Sequence, residues 1–313
     1  MTRIVMGLAL LAGLGCSKAT EPPKVEEPKP GEKKTDPPAV IAGPQAPIGP
    51  GPTPPAPPGP TLLAPNDPIQ KVAEGFITDL RAASDKPEPV PAELLARVSP
   101  AFLKVIGKPL LSDADKAAGY SASAASNWLK NTGAKLVGIG LPTGYGSPTS
   151  AVMTGSFGNG TGRVLIRMTF QGGWKIDWLS LGSVKADLAK PTSPDGPDQD
   201  FAAMAFLDAL TSTAMPRDER IRLLGGTMSA KLKAAWAEPF DGDKARGEDY
   251  NATKLGLELD KYAKIVTGIR RTPEGADSFK IELPLSGEIL SYTMKLTKGA
   301  APGEWLVDEF TKQ

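Results

Sequence analysis

The chain has 313 residues, enough for one large domain or two of ordinary size. Lys and Arg number 36 against 35 Asp and Glu, a formal charge of +1, which argues against nucleic-acid binding through phosphate neutralisation. There is no histidine and only one cysteine. That composition removes Ser-His-Asp and Cys-His catalysis, His-based or thiolate metal sites, and any intrachain disulfide. No cofactor is expected.

The N-terminus reads as an address. Arg3 precedes the mostly apolar run Ile4 to Leu14, which ends in Gly15-Cys16. The run is shorter than the ~20 residues of a membrane-spanning helix and fits the apolar region of a secretory signal. The stretch Leu11-Ala12-Gly13-Leu14-Gly15-Cys16 resembles the lipobox of bacterial lipoproteins. Gly15 and Cys16 fit that pattern; Gly13 stands where an aliphatic residue is expected. The resemblance implies a signal peptide over 1–15 and lipidation of Cys16. It further implies secretion across the cytoplasmic membrane and lipid anchoring on the periplasmic or extracellular face. Ser17 is compatible with sorting to an outer membrane.

A tether is expected over 16–64. Between Pro22 and Pro65 lie 16 of the 32 prolines. Lys and Glu alternate at first; Pro37 to Pro60 carry no charge. Such a segment cannot bury enough apolar area to offset chain entropy, so it is expected to be disordered, with polyproline II character. Fully extended it reaches on the order of 100 Å. It reads as a spacer between the lipid surface and the folded part.

The remainder contains an internal echo at a spacing of about 130 residues. Gly75 to Leu80 matches Ala205 to Leu210, and Ser99 to Lys104 matches Met228 to Lys233. Asp113 to Gly119 matches Asp241 to Gly247, Ala134 to Val137 matches Ala263 to Val266, and Gly173 to Asp177 matches Glu304 to Asp308. The matches keep their order. They place one unit at 65–190 and a second at 197–313, joined by a Pro- and Gly-containing linker.

Each unit reads helices first and strands after. Asp67 is an N-cap candidate, with Pro68 in the first turn of a helix whose apolar face carries Ile69, Val72, Phe76 and Leu80. Pro91 to Val98 reads as a second helix, with a restart at Ser99-Pro100. A third is expected from Asp115 to Asn131, stopped near Gly133. Strands are expected at Lys135–Ile139, Ala151–Phe157, Arg163–Phe170 and Trp174–Leu181. In the second unit they are expected at Lys264–Arg271, Ser278–Leu285, Ile289–Thr297 and Trp305–Thr311. Leu255, Leu257 and Leu259 alternate, leaving the last helix of that unit undecided. Helices followed by a curved antiparallel sheet make an α+β fold with helices on one face of the sheet.

This order, closing on Gly173-Trp174-Lys175-Ile176-Asp177-Trp178, resembles the NTF2-like (cystatin-like) superfamily. The resemblance implies a cone whose sheet can enclose a pocket, in proteins that are isomerases, dehydratases, or non-catalytic binding and dimerisation modules.

By alternation Trp174, Ile176 and Trp178 share one sheet face, as do Trp305, Val307 and Glu309. Trp174, Trp178 and Trp305 are therefore candidates for a pocket wall, with ordinary packing against the helices the favoured alternative. The pairs Asp113/Asp115 and Asp241/Asp243 lack the Gly and Glu of a calcium loop and read as helix caps. No spacing singles out an acid/base pair. The chain is thus expected to be a non-enzymatic, membrane-anchored lipoprotein that binds an envelope protein or ligand, or serves as a structural spacer. The alternative is an NTF2-like small-ligand carrier, or an isomerase- or dehydratase-type enzyme, with an apolar pocket. Neither partner nor oligomeric state is legible.

Overall fold

A computed structural model describes residues 61–64, 67–158, 160, 162–182, 196–262, 269–285, 287–301 and 303–313. Cys16, the signal and most of the expected tether lie outside these residues. The element order is β1 (Thr61–Leu62), α1 (Pro68–Ser84), α2 (Ala92–Leu95), α3 (Pro100–Ile106), α4 (Asp113–Ala118), α5 (Ala122–Lys135), β2 (Gly140–Gly146), β3 (Ser150–Phe157), β4 (Gly162–Phe170) and β5 (Trp174–Gly182). There follow α6 (Gly196–Thr211), α7 (Arg217–Thr227), α8 (Ala230–Ala237), α9 (Asp241–Ala245), α10 (Ala252–Asp260), β6 (Arg270–Pro273), β7 (Ser278–Leu285), β8 (Glu288–Lys298) and β9 (Trp305–Lys312). Among the described residues β1 to β5 form one antiparallel sheet and β6 to β9 another. The fold is mixed α+β.

Local chemistry sets the helix starts. The Asp67 carboxylate accepts the Ile69 N–H at 2.8 Å, with Pro68 leading α1. Ser99 caps α3, Ser121 caps α5, Ser229 caps α8 and Asn251 caps α10, each through its side-chain oxygen. Asp115 does not start a helix by itself. Ser112 caps α4, and the Asp115 carboxylate closes the capping box by accepting the Ser112 N–H.

Several sequence expectations are corrected. The strand expected at Lys135–Ile139 begins only at Gly140, because α5 continues through Lys135. Gly133 does not stop that helix. It is buried against α1, where a Cβ would stand 2.9 Å from the Leu80 carbonyl oxygen. The helix expected from Asp115 to Asn131 is two helices, broken at Gly119, whose φ is +76°. The helix over Pro91 to Val98 is only the single turn α2. The alternating leucines 255, 257 and 259 lie on a helix, α10. The chain is already paired before position 65, since Thr61 and Leu62 stand opposite Gly146 and Tyr145.

The last strand of each sheet carries a bulge that overturns the shared-face reading. On β5, Ile176 pairs with Met168 and Trp178 with Arg167, so Asp177 is an extra residue. Met168 and Arg167 are adjacent and point to opposite faces, so Ile176 and Trp178 do too. On β9, Val307 pairs with Leu296 and Glu309 with Lys295, leaving Asp308 extra. Each bulged aspartate takes a serine hydroxyl from the start of a helix. Ser99 donates to Asp177 at 2.6 Å and Ser229 to Asp308 at 2.8 Å. The same serines donate their backbone N–H to the carbonyls of Ile176 and Val307.

Helix α6 lies between the two sheets, touching β3, β4 and β5 on one side and β8 and β9 on the other. All its residues but Asp198 are buried, and its apolar residues run all round, as in a helix enclosed by protein. The first sheet is accordingly covered on both faces, by α1 and α3 and then by α6, rather than on one face as expected. Its central strand β4 is buried continuously from Arg163 to Met168. On β7, by contrast, Phe279, Ile281 and Leu283 are buried in alternation with half-exposed polar residues.

The carboxylates of α6 reach arginines of both sheets. Asp208 takes Arg163 of β4 and is also hydrogen-bonded by Ser180. Asp198 faces Arg167 of β4, whose guanidinium lies over the Phe201 ring. Asp200 pairs with Arg271 of β6 at 2.8 Å. Burial pushes the Asp200 carboxyl above its usual pKa and Arg271 opposes that rise. Removing one member of such a pair strands a buried charge. Asp200→Asn is expected to lose about 3–5 kcal/mol in chemical denaturation. A loss below about 1 kcal/mol, the scale of an exposed pair, would show that this contact does not hold α6.

Candidate functional site

The sequence candidates part company in three dimensions. Trp174 is half-buried and packs edge-on against the exposed Phe170, with ring centroids 5.6 Å apart. Trp178 is buried between Phe102 of α3 and Phe201 of α6, at 5.4 and 6.1 Å. Trp305 lies under the Lys298 ammonium, 5.3 Å from the ring centroid. Trp178 and Trp305, one from each half, both line a small cavity of about 70 Å³. Its lining includes Arg167, Asp177 and Glu304. Glu309 holds the same bulged place in the second sheet as Trp178, but it is no counterpart, because α6 packs on Trp178 whereas Glu309 is partly exposed. It stands on the face away from the core, between Lys231 and Lys295. Hydrogen bonds from those two ammoniums lower its pKa to about 2.

A larger cavity, about 320 Å³, opens nearby between α3 of the first half and α7, α8 and β9 of the second. Of its charged residues the sequence singles out only Arg222, as part of a locally basic run with Arg217 and Arg220 that reads as a solvated face. Its wall carries four cations, Lys104, Lys108, Arg222 and Lys233, against two carboxylates, Asp249 and Glu304. The apolar part includes Val105, Met228, Leu306 and the ring of Tyr250.

The charges divide into a closed group and an open one. Lys108 donates to Asp249 at 3.1 Å and Lys233 to its other oxygen at 2.5 Å, so this carboxylate bridges the two halves. Partial loss of hydration works to raise the Asp249 pKa, although the side chain is 58% exposed, and the Lys233 and Lys108 ammoniums outweigh it and hold the group below its usual range. Arg222 is half-buried, and its one hydrogen bond to a described residue goes to the Ile106 carbonyl at 3.4 Å. No carboxylate lies within ion-pair distance of Arg222 or of Lys104 among the described residues.

Tyr250 is buried, with Lys108 5.6 Å from its ring centroid. Burial, and the charges of Glu248 and Asp249, push its hydroxyl pKa far upward, so it stays protonated. The Gly225-Gly226 pair at the end of α7 makes the wall possible. A Cβ on Gly225 would stand 2.4 Å from the Tyr250 ring, and one on Gly226 would stand 2.9 Å from Val105.

Two measurements test this wall. Gly225→Ala gains helix propensity, yet is expected to destabilise the protein by about 1–3 kcal/mol through overpacking on Tyr250. A rise in melting temperature would contradict the contact. The lowered Asp249 pKa gives the second. A depressed carboxyl contributes stability above its unfolded value, about 4, and loses it as pH falls through the native value. The melting-temperature gap between the parent chain and Asp249→Asn should therefore be full at pH 7 and shrink below about pH 4. A gap independent of pH would contradict the bridge.

No protein family matches the sequence, and no curated protein does. Among solved structures, a cystatin-like protein from Ruminococcus gnavus ATCC 29149 aligns with 78% of this chain and 95% of its own. The two are 8% identical and the TM-score is 0.18, below the level that shows a shared fold. No helix among the described residues is long and apolar enough to cross a membrane.

Proposed function

We propose that this protein is an extracytoplasmic lipoprotein, anchored to a membrane through Cys16, whose folded part is a non-enzymatic binding or structural module of the cell envelope. The observation that carries the anchor is the position of the chain's one cysteine, directly behind an eleven-residue, mostly apolar run and Gly15. Two acyl chains give stable attachment where one gives only marginal binding. The Pro-rich segment that follows then sets the distance between the lipid surface and the folded part.

The folded part is read as two tandem units of one NTF2-like (cystatin-like) type, 65–190 and 197–313. What supports this is the repetition of particular contacts at a spacing of 130 or 131 residues. Ser99 and Asp177 answer to Ser229 and Asp308. Val98 bridges Ile176 as Met228 bridges Val307. The N–H of Ser121 reaches the Gly107 carbonyl as that of Asn251 reaches Ala237.

A second reading, a small-ligand carrier, is favoured by one specific observation: the desolvated Tyr250 on the wall of the 320 Å³ cavity. That cavity lies between the halves and has a charged wall, unlike the apolar pocket within one cone that the family resemblance implies.

The anchor is tested by growing cells that express the full chain with an alkyne analogue of palmitate. Label should enter the parent protein and be lost in Cys16→Ser. An unlabelled parent, or label that survives the substitution, would overturn it.

A further inference from the structure

The cavity between the halves has a surplus of positive charge that the fold itself leaves uncompensated. Its wall holds four cations and two carboxylates. Asp249 is already taken by Lys108 and Lys233. The side chains of these lysines are only 16% and 14% exposed, so two largely desolvated ammoniums share one carboxylate. Glu304 accepts the Ala301 N–H at 3.0 Å and makes no ion pair among the described residues. Arg222 and Lys104 have no carboxylate within ion-pair distance among the described residues; Glu219, one turn earlier on α7, acts on Arg222 only at longer range and is itself paired with Lys135. A half-buried guanidinium whose one hydrogen bond is long has unused donors in a place where water screens poorly. Partly burying a cation without a close counter-ion costs free energy.

The apolar part of the wall limits what would fit. Val105, Leu306 and the Tyr250 ring border the same space as the cations. About 320 Å³ falls in the range of small-molecule sites, and an apolar lining with a few convergent polar groups is their usual make-up. A planar guanidinium with forked donors suits an oxyanion.

We propose that the cleft between the two halves is a binding site for a small organic oxyanion, a carboxylate or phosphoryl group on a compact apolar body. Arg222 holds the oxyanion, Lys104 adds charge at the mouth, and Tyr250 and Val105 bound the apolar body. Arg222 belongs to the second half and Lys104 to the first, so the site exists only when the halves are joined. This inference rests on the binding reading of the folded part and is independent of the lipid anchor.

The test is titration calorimetry on the full purified chain. Phenyl phosphate and benzoate are the anionic probes, inorganic phosphate is the anion without an apolar body, and benzyl alcohol is the neutral analogue. At least one of the two aromatic anions should bind saturably, more tightly than inorganic phosphate, and at least about tenfold more tightly than benzyl alcohol, as expected for loss of a charged hydrogen bond. Which of the two binds distinguishes a carboxylate from a phosphoryl ligand. Arg222→Gln should weaken binding by about tenfold or more. Lys104→Gln, at an exposed position, should weaken it several-fold without changing the melting temperature, and it carries the test should Arg222→Gln fail to fold. Failure of both anions to saturate, equal binding of benzyl alcohol, or affinities unchanged in the folded variants would overturn the proposal. None of these outcomes touches the palmitate labelling of Cys16, so the site and the anchor fail separately.

Discussion

Everything described between Thr61 and Gln313 hangs on the burial of α6. A helix with apolar residues on all sides has no preferred face by hydrophobicity alone. Rotating it would bury much the same area. The acids at 198, 200 and 208 remove that freedom, because each has an arginine at a defined place: Arg167 and Arg163 on the first sheet, Arg271 on the second. Ion pairs of this kind add little net stability compared with apolar groups of the same size, yet breaking one is costly. Their effect here is to fix which side of α6 meets which sheet. The position of every residue at the junction follows from that choice.

The junction is where function is read. Because α6 is seated between the sheets, α7 runs against α3, and the Gly225-Gly226 pair lets the two halves come close enough for Lys108 to reach Asp249. The cleft that remains is charged on one side and apolar on the other. Neither half has it alone.

The sequence shows the parts better than their joining. The cap at Asp67 and the helix restart at Ser99-Pro100 were legible, because Asp or Ser before Pro at a helix start has a direct chemical reason. The strands β3, β4, β5, β7, β8 and β9 were legible within a residue or two, from β-branched and aromatic runs bounded by turn residues. The bulges at Asp177 and Asp308 were not, since one extra residue leaves the alternation looking intact while turning Trp178 and Glu309 to the opposite face. Sequence matching set Ser99 against Met228, whereas the structure gives its role to Ser229, one residue on. Gly133 reads as a stop, and only its contact with Leu80 explains a glycine inside α5. The cavity was out of reach altogether. Lys104 and Arg222 are far apart in the chain, each looks like a solvated charge, and nothing local places them on one wall.

Native-state hydrogen exchange on the full chain tests the central claim most directly: one buried helix makes the two halves a single cooperative body. Amides of α6 from Phe201 to Leu210 should exchange only through global unfolding, with the same free energy as the slowest amides of β4 and β8. If β8 and β9 open with α6 while β4 and β5 remain protected, the halves are separate folds in contact, and the account is wrong.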